Sequence, residues 1–135
     1  MHTPALVQTL RADFLRHRDD FVCAYLYGSL ARGEGRPRSD ADVAVLYKDS
    51  PPPTLDGLGL DLSDDLERLL GRRVDVVVLN RAPVDLIHRI LRDAILLYEG
   101  DRSARLQFEV KARAEYFDLL PYLRQYRRAQ SRPQP

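Results

Sequence analysis

The sequence predicts an α/β layer fold of the α+β kind, a small mixed sheet with helices packed mainly against one face. Segments of helical and strand period alternate in the order α, β, β, α, β, α, β, α. The strand segments are short apolar runs bounded by turn formers. The 135 residues, 44% hydrophobic and 30% charged, suffice for one core but leave no room for a large separate substrate domain. Residues 1–128 are accordingly read as one domain and 129–135 as a flexible tail.

A helix is expected from about Thr3 to Arg18, a stretch that mixes apolar and charged residues. Cys23 to Tyr27 reads as an apolar strand, followed by Gly28-Ser29 and a short segment able to turn helical. Glu34 to Arg38 is a polar loop rich in turn formers. Asp42 to Tyr47 is the next strand, and Pro51-Pro52-Pro53 is a stiff connector. Leu58, Leu62, Leu66 and Leu69 recur at helical spacing from about Leu55 to Gly71, where the glycine is a plausible stop. Val74 to Leu79 is a strand around Asp75. Pro83 opens a helix with Leu86, Ile87, Ile90 and Leu91 on one stripe, and Ala94 to Tyr98 is the last strand. A long helix follows from Ser103 to about Arg128, which Pro121 is expected to kink or divide. Its aromatics Tyr116, Phe117, Tyr122 and Tyr126 read first as core, with a partner-binding face as the alternative.

The chemistry concentrates in two places. Gly28 and Ser29 follow a strand and precede a turn, so backbone N–H groups and a hydroxyl would face a phosphate. Asp40 and Asp42 lie two residues apart at the head of the next strand, which puts them on one face about 6.5 Å apart. Two such carboxylates suit hard divalent cations of the kind that neutralise a triphosphate and activate a hydroxyl. Asp75 is the candidate third carboxylate, because a charge inside an apolar strand is costly unless something pairs with it. Arg32 either contacts phosphate or caps the short helix, and Ser39 reads as a brace for its loop.

These residues resemble the nucleotidyltransferases related to DNA polymerase β, and among them the minimal nucleotidyltransferase (MNT) branch. Gly28 to Gly33 is similar to its Gly-Ser-x-Ala-Arg-Gly, and Ser39 to Asp42 to its Ser-Asp-x-Asp. The strand from Asp75 to Leu79, the stretch from Pro83 to Glu99 and the segment Glu115 to Leu119 resemble later parts of MNT antitoxins, so the likeness covers nearly the whole chain. It implies the polymerase β-like nucleotidyltransferase fold and an Mg²⁺-dependent enzyme that uses two ions. ATP would be the donor and a tyrosine of a cognate HEPN-domain RNase toxin the acceptor of AMP. Under that resemblance Gly28 and Ser29 hold the triphosphate, Asp40 and Asp42 bind Mg²⁺, and Asp75 completes the metal site and helps deprotonate the acceptor. A hetero-oligomer with a toxin dimer is the implied assembly. Two rivals stand beside it: an antitoxin that masks the toxin by binding alone, and a small-molecule nucleotidyltransferase of the aminoglycoside-modifying type.

Composition trims the remaining classes. A net charge of +1 gives no global field for nucleic acid, so direct nucleic-acid binding is not expected, although Arg124, Arg127, Arg128 and Arg132 make one basic end. Apolar runs fall short of a membrane span and the N-terminus lacks a signal-peptide core. The lone Cys23 reads as a small buried hydrophobe in a reducing compartment, and the expected location is cytoplasmic. His2, His17 and His88 show no zinc spacing and read as surface or packing residues.

Overall fold

Both central strands are apolar on each face, and that property sets the architecture. The computed structural model describes residues 2–36, 38–52 and 59–131. Its elements are α1 (Thr3–His17), β1 (Phe21–Tyr27), α2 (Gly28–Ala31), β2 (Ala41–Tyr47), α3 (Leu60–Leu70), β3 (Val74–Val78), α4 (Val84–Asp93), β4 (Ile95–Glu99) and α5 (Arg102–Ser131), with a 3₁₀ turn at Leu79–Arg81. The strands form one mixed sheet in the order β3-β2-β1-β4. Strands β1 and β2 run antiparallel, as do β1 and β4, while β2 and β3 run parallel. The start of the helix expected from Leu55 and the third residue of the proline connector lie outside the described residues.

Helices cover both faces of this sheet, a more even coverage than helices packed mainly against one face. On one side Leu6, Leu10 and Phe14 of α1 and Leu62, Leu66 and Leu70 of α3 pack on Ala24, Leu26, Val43, Val45 and Val74. On the other, Ile87 and Ile90 of α4 and Ala112 of α5 pack on Tyr25, Ala44 and Leu46. The reason lies in β1 and β2, whose residues are buried in near-continuous runs, so neither face can be left to water. A bulge adjusts the match. Phe21 pairs with Tyr47 and Cys23 with Leu46, leaving Val22 as the extra residue. Val22 and Cys23 therefore both join the α4–α5 side, where Cys23 is fully buried as expected.

Helix ends follow local chemistry. Gly71 stops α3 in the left-handed conformation, φ 66°, with its N–H donating to the Glu67 carbonyl. Pro83 sits just before α4, which carries Asp85 in its first turn and Arg92 in its last, matching the helix dipole. Asp101 accepts from the Ala104 N–H at the start of α5. Tyr25 then donates to Glu109 at 2.8 Å, and Arg105 bridges Glu109 and Glu99. This network fastens the first part of α5 to β1 and β4.

Beyond that anchorage α5 departs from the expectations. It is one helix through Pro121, not two. Phe117, Tyr122 and Tyr126 are 68%, 69% and 63% exposed, so these three are not core. Helical spacing alone reads an aromatic stripe as buried, yet these three rings stand largely in solvent. Tyr116 is half-buried and stacks on His88, ring centroids 3.6 Å apart, which makes His88 a packing residue.

Candidate active site

At the end of β1 the chain turns sharply through Gly28, whose φ of +76° is one that side chains disfavour. Space demands glycine there as well. An added Cβ would collide with Oδ2 of Asp42 and lie 3.2 Å from its Cγ. The turn is thus closed directly against a carboxylate. Arg32 caps α2 through its backbone N–H to the Gly28 carbonyl, and the Glu34 N–H donates to the Ser29 carbonyl. Ser29 is half-buried on this turn.

Strand register assembles the rest. Parallel pairing sets Asp42 beside Asp75, and antiparallel pairing sets Asp42 beside Tyr27. Paired residues share a face, so Asp75, Asp42 and Tyr27 make a row across β3, β2 and β1 on the α4–α5 side. Asp40 lies just before β2 and is exposed, so strand period does not fix its direction. The groups nevertheless sense one another. Burial first, then Asp75 and Asp40, push the Asp42 carboxyl above the usual range, while Arg32 opposes the shift. Burial, Asp42 and Asp75 push the Tyr27 phenol up to about 12.

Asp75 corrects one premise. Its side chain is 52% exposed, because β3 is an edge strand, and Arg73 Nε lies 3.9 Å away. Its charge is therefore solvated, and the energetic case made from a buried position does not hold. Its register position is the better argument. Arg32 reaches Glu34 at 3.1 Å and Asp93 at 3.9 Å, tying the turn to the end of α4. Ser39 Oγ accepts from the Arg36 N–H at 2.7 Å and the Ser39 N–H donates to the Arg36 carbonyl at 2.9 Å, a closed loop brace.

Among the described residues no three His, Cys, Asp or Glu side chains gather into a ready metal cage. What Asp40, Asp42 and Asp75 offer a cation is a set of hard oxygen donors whose mutual repulsion raises Asp42, and that chemistry fits Mg²⁺. Sequence reasoning missed Tyr27 and the Arg32–Asp93 link. Tyr27 was open to discovery as the residue adjoining the turn, once β1 and β2 are paired as a hairpin-like antiparallel couple; Asp93 carries no local signal.

A glycine turn shut against one of two abreast strand carboxylates defines a class of site suited to phosphate-bearing substrates and their cations. The chain belongs to the polymerase β nucleotidyltransferase family, whose profile matches residues 11–103, more than half of it. A solved structure assigned as a minimal nucleotidyltransferase is 35% identical, covering 70% of this chain and 95% of its own, with a TM-score of 0.58. A toxin–antitoxin crystal structure with AMP-PNP has a chain 22% identical over 98% of this chain and 100% of its own, TM-score 0.76. A tri-AMPylated Shewanella oneidensis HEPN toxin in complex with MNT antitoxin gives 22% identity, coverage of 93% and 99%, and a TM-score of 0.74. The last two likenesses establish the fold. The sequence matches no curated protein.

Proposed function

We propose that this protein is an Mg²⁺-dependent adenylyltransferase and antitoxin that moves AMP from ATP to a tyrosine hydroxyl of a HEPN-domain toxin in the cytoplasm. The observation that carries the reading is the register match of Asp42 with Asp75, closed by Gly28. Its support from relatives is specific, since one structural neighbour holds AMP-PNP and another is in complex with a tri-AMPylated HEPN toxin. Among the described residues no helix is long and apolar enough to cross a membrane.

Each residue then has a task. Gly28 lets the backbone approach the triphosphate without displacing Asp42, and the Ser29 hydroxyl and turn N–H groups receive phosphate oxygens. Asp40 and Asp42 hold the cation, while exposed Asp75 stands where an acceptor hydroxyl can lose its proton. Mg²⁺ when bound neutralises triphosphate charge and favours the ionised acceptor. The acceptor oxygen forms a bond to the α-phosphorus, the bond from that phosphorus to the β-bridging oxygen breaks, and pyrophosphate leaves with the electron pair. Arg32, held by Glu34 and Asp93, sits beside Asp42 and limits the repulsion there.

The test is intact-mass spectrometry of the cognate HEPN protein after incubation with this chain, Mg²⁺ and ATP. Mass gains in whole AMP units, absent with an Asp40→Ala/Asp42→Ala double variant, are the expected result. A second reading, neutralisation by binding alone, draws on exposed Phe117, Tyr122 and Tyr126 of α5. An unmodified toxin that still forms a stable, inactive complex would establish that reading and reject transfer.

A further inference from the structure

The row across β3, β2 and β1 ends in a phenol that the fold leaves idle. Tyr27 pairs with Asp42, and Asp42 with Asp75, so the tyrosine and Asp75 flank Asp42 on one face of the sheet. The Tyr27 ring is half-buried and packs on the core layer that contains Ile87, Ile90 and Ala112. Its hydroxyl makes no hydrogen bond to any described residue. Tyr25, two residues earlier on the same face, is the contrast, since its hydroxyl donates to Glu109 at 2.8 Å and helps fasten α5. The charges of Asp42 and Asp75 both reach the Tyr27 phenol, which puts it at the site. Its chain neighbour is Gly28, the turn residue closed against Asp42.

The order along this row matches an in-line displacement. Neighbouring strands lie about 4.8 Å apart, which sets the Asp75 and Tyr27 backbones about 10 Å from each other with Asp42 midway. A base, an acceptor oxygen, the phosphorus and a donor to the departing oxygen, joined at hydrogen-bond and near-attack distances, span about the same length. Attack from the Asp75 end therefore directs the departing oxygen toward the Tyr27 end, beside the Gly28-Ser29 turn. We propose that Tyr27 is a leaving-group donor, its O–H hydrogen-bonding to the oxygen between the α- and β-phosphorus atoms and stabilising the charge that gathers there as the bond breaks. The phenol keeps its proton throughout, and pyrophosphate leaves with the electron pair. This role rests on the adenylyl-transfer reading and adds to it a residue for the departing side of the reaction.

The experiment compares the full wild-type chain with Tyr27→Phe, which keeps the ring and removes only the hydroxyl, in single-turnover transfer to the cognate HEPN protein followed by intact mass. Three donors are used: ATP, its β,γ-methylene analogue, whose leaving group is more basic, and its β,γ-difluoromethylene analogue, whose leaving group is less basic. Tyr27→Phe is expected to keep its Tm and to lose about tenfold to a hundredfold in maximal rate with ATP, while the half-saturating ATP concentration stays within about threefold. Its deficit should widen with the methylene donor and narrow with the difluoromethylene donor, a dependence that a purely structural defect would not produce. Tyr25→Phe, which deletes the neighbouring hydroxyl, should lower Tm yet transfer within about threefold of wild type per folded chain. A Tyr27→Phe rate within about threefold of wild type, or a deficit of one size with all three donors, overturns the proposal and leaves adenylyl transfer standing. Folded wild type that transfers no AMP from any donor rejects the transfer reading itself, and the role of Tyr27 with it.

Discussion

Substituting Gly28 by alanine separates two costs that the turn combines. The first is conformational: at φ +76° a Cβ costs about 1–2 kcal/mol. The second is positional. The new methyl collides with Oδ2 of Asp42 and reaches to 3.2 Å from Cγ. Because non-bonded heavy atoms settle about 3.5–4.0 Å apart, the carboxylate must retreat by about 1 Å. A misplacement of about 1 Å at a reacting centre costs about a hundredfold in rate. Gly71→Ala is the matched control, since it shares the left-handed φ, 66°, but meets nothing within 4 Å. Both variants should lose about 3–8 °C in Tm, and only Gly28→Ala should lose about a hundredfold in kcat for AMP transfer. Circular dichroism melts and a timed mass assay measure the two quantities. Transfer by folded Gly28→Ala within about threefold of wild type would refute the claim that this glycine protects Asp42.

The titration of Asp42 makes a second expectation. Its folded pKa is raised, so its favourable contribution is complete below the ordinary carboxylate range and is lost as pH rises through the raised value. Asp42→Asn should therefore melt higher than wild type at pH 7 and lose that advantage near pH 4, which paired thermal scans will read. Mg²⁺ should stabilise wild type at pH 7 by about 1.4 kcal/mol at ten times its Kd, and an Asp40→Asn/Asp42→Asn variant much less, as thermal shift against metal concentration will show. Tyr25→Phe removes the hydroxyl that donates to Glu109, and should cost about 1.5–3 kcal/mol in urea unfolding while α5 remains helical.

Much of the molecule was legible because local signals and tertiary demands agree. Gly71 ends α3 as its position suggested, and the strand from Val74 and the helix after Pro83 appear within a residue or two of their expected limits. The covering of both sheet faces was equally written in the unbroken apolar runs of β1 and β2, but the count of helices on each side depends on crossovers that periodicity does not specify. Asp75 was found for an incomplete reason. An apolar neighbourhood in sequence suggested burial, yet a strand's place at the edge or centre of a sheet is decided by pairing partners far away. The α5 aromatics failed for a related reason. Spacing groups them on a helix, but burial needs an opposing surface, and the described fold half-buries Tyr116 while leaving Phe117, Tyr122 and Tyr126 exposed.

Under the proposed function, the edge position of β3 also accounts for a division of labour among the carboxylates. Asp42, on an interior strand, loses hydration and is pressed by two acidic neighbours, so its ionised form is strained until a cation or proton arrives. Asp75 is abreast of it in the parallel register, yet keeps half its side chain in water. Moving both to interior strands would compound the desolvation, and moving both to an edge would weaken the closed turn against Gly28. For the proposed transfer, one interior and one edge carboxylate would meet both demands: a cation seat whose repulsion favours occupancy, and beside it a base that an incoming hydroxyl can reach. On that proposal the stability sacrificed at Asp42 would be the source of affinity for a cation, and the Asn substitution should gain in thermal stability what it loses in transfer.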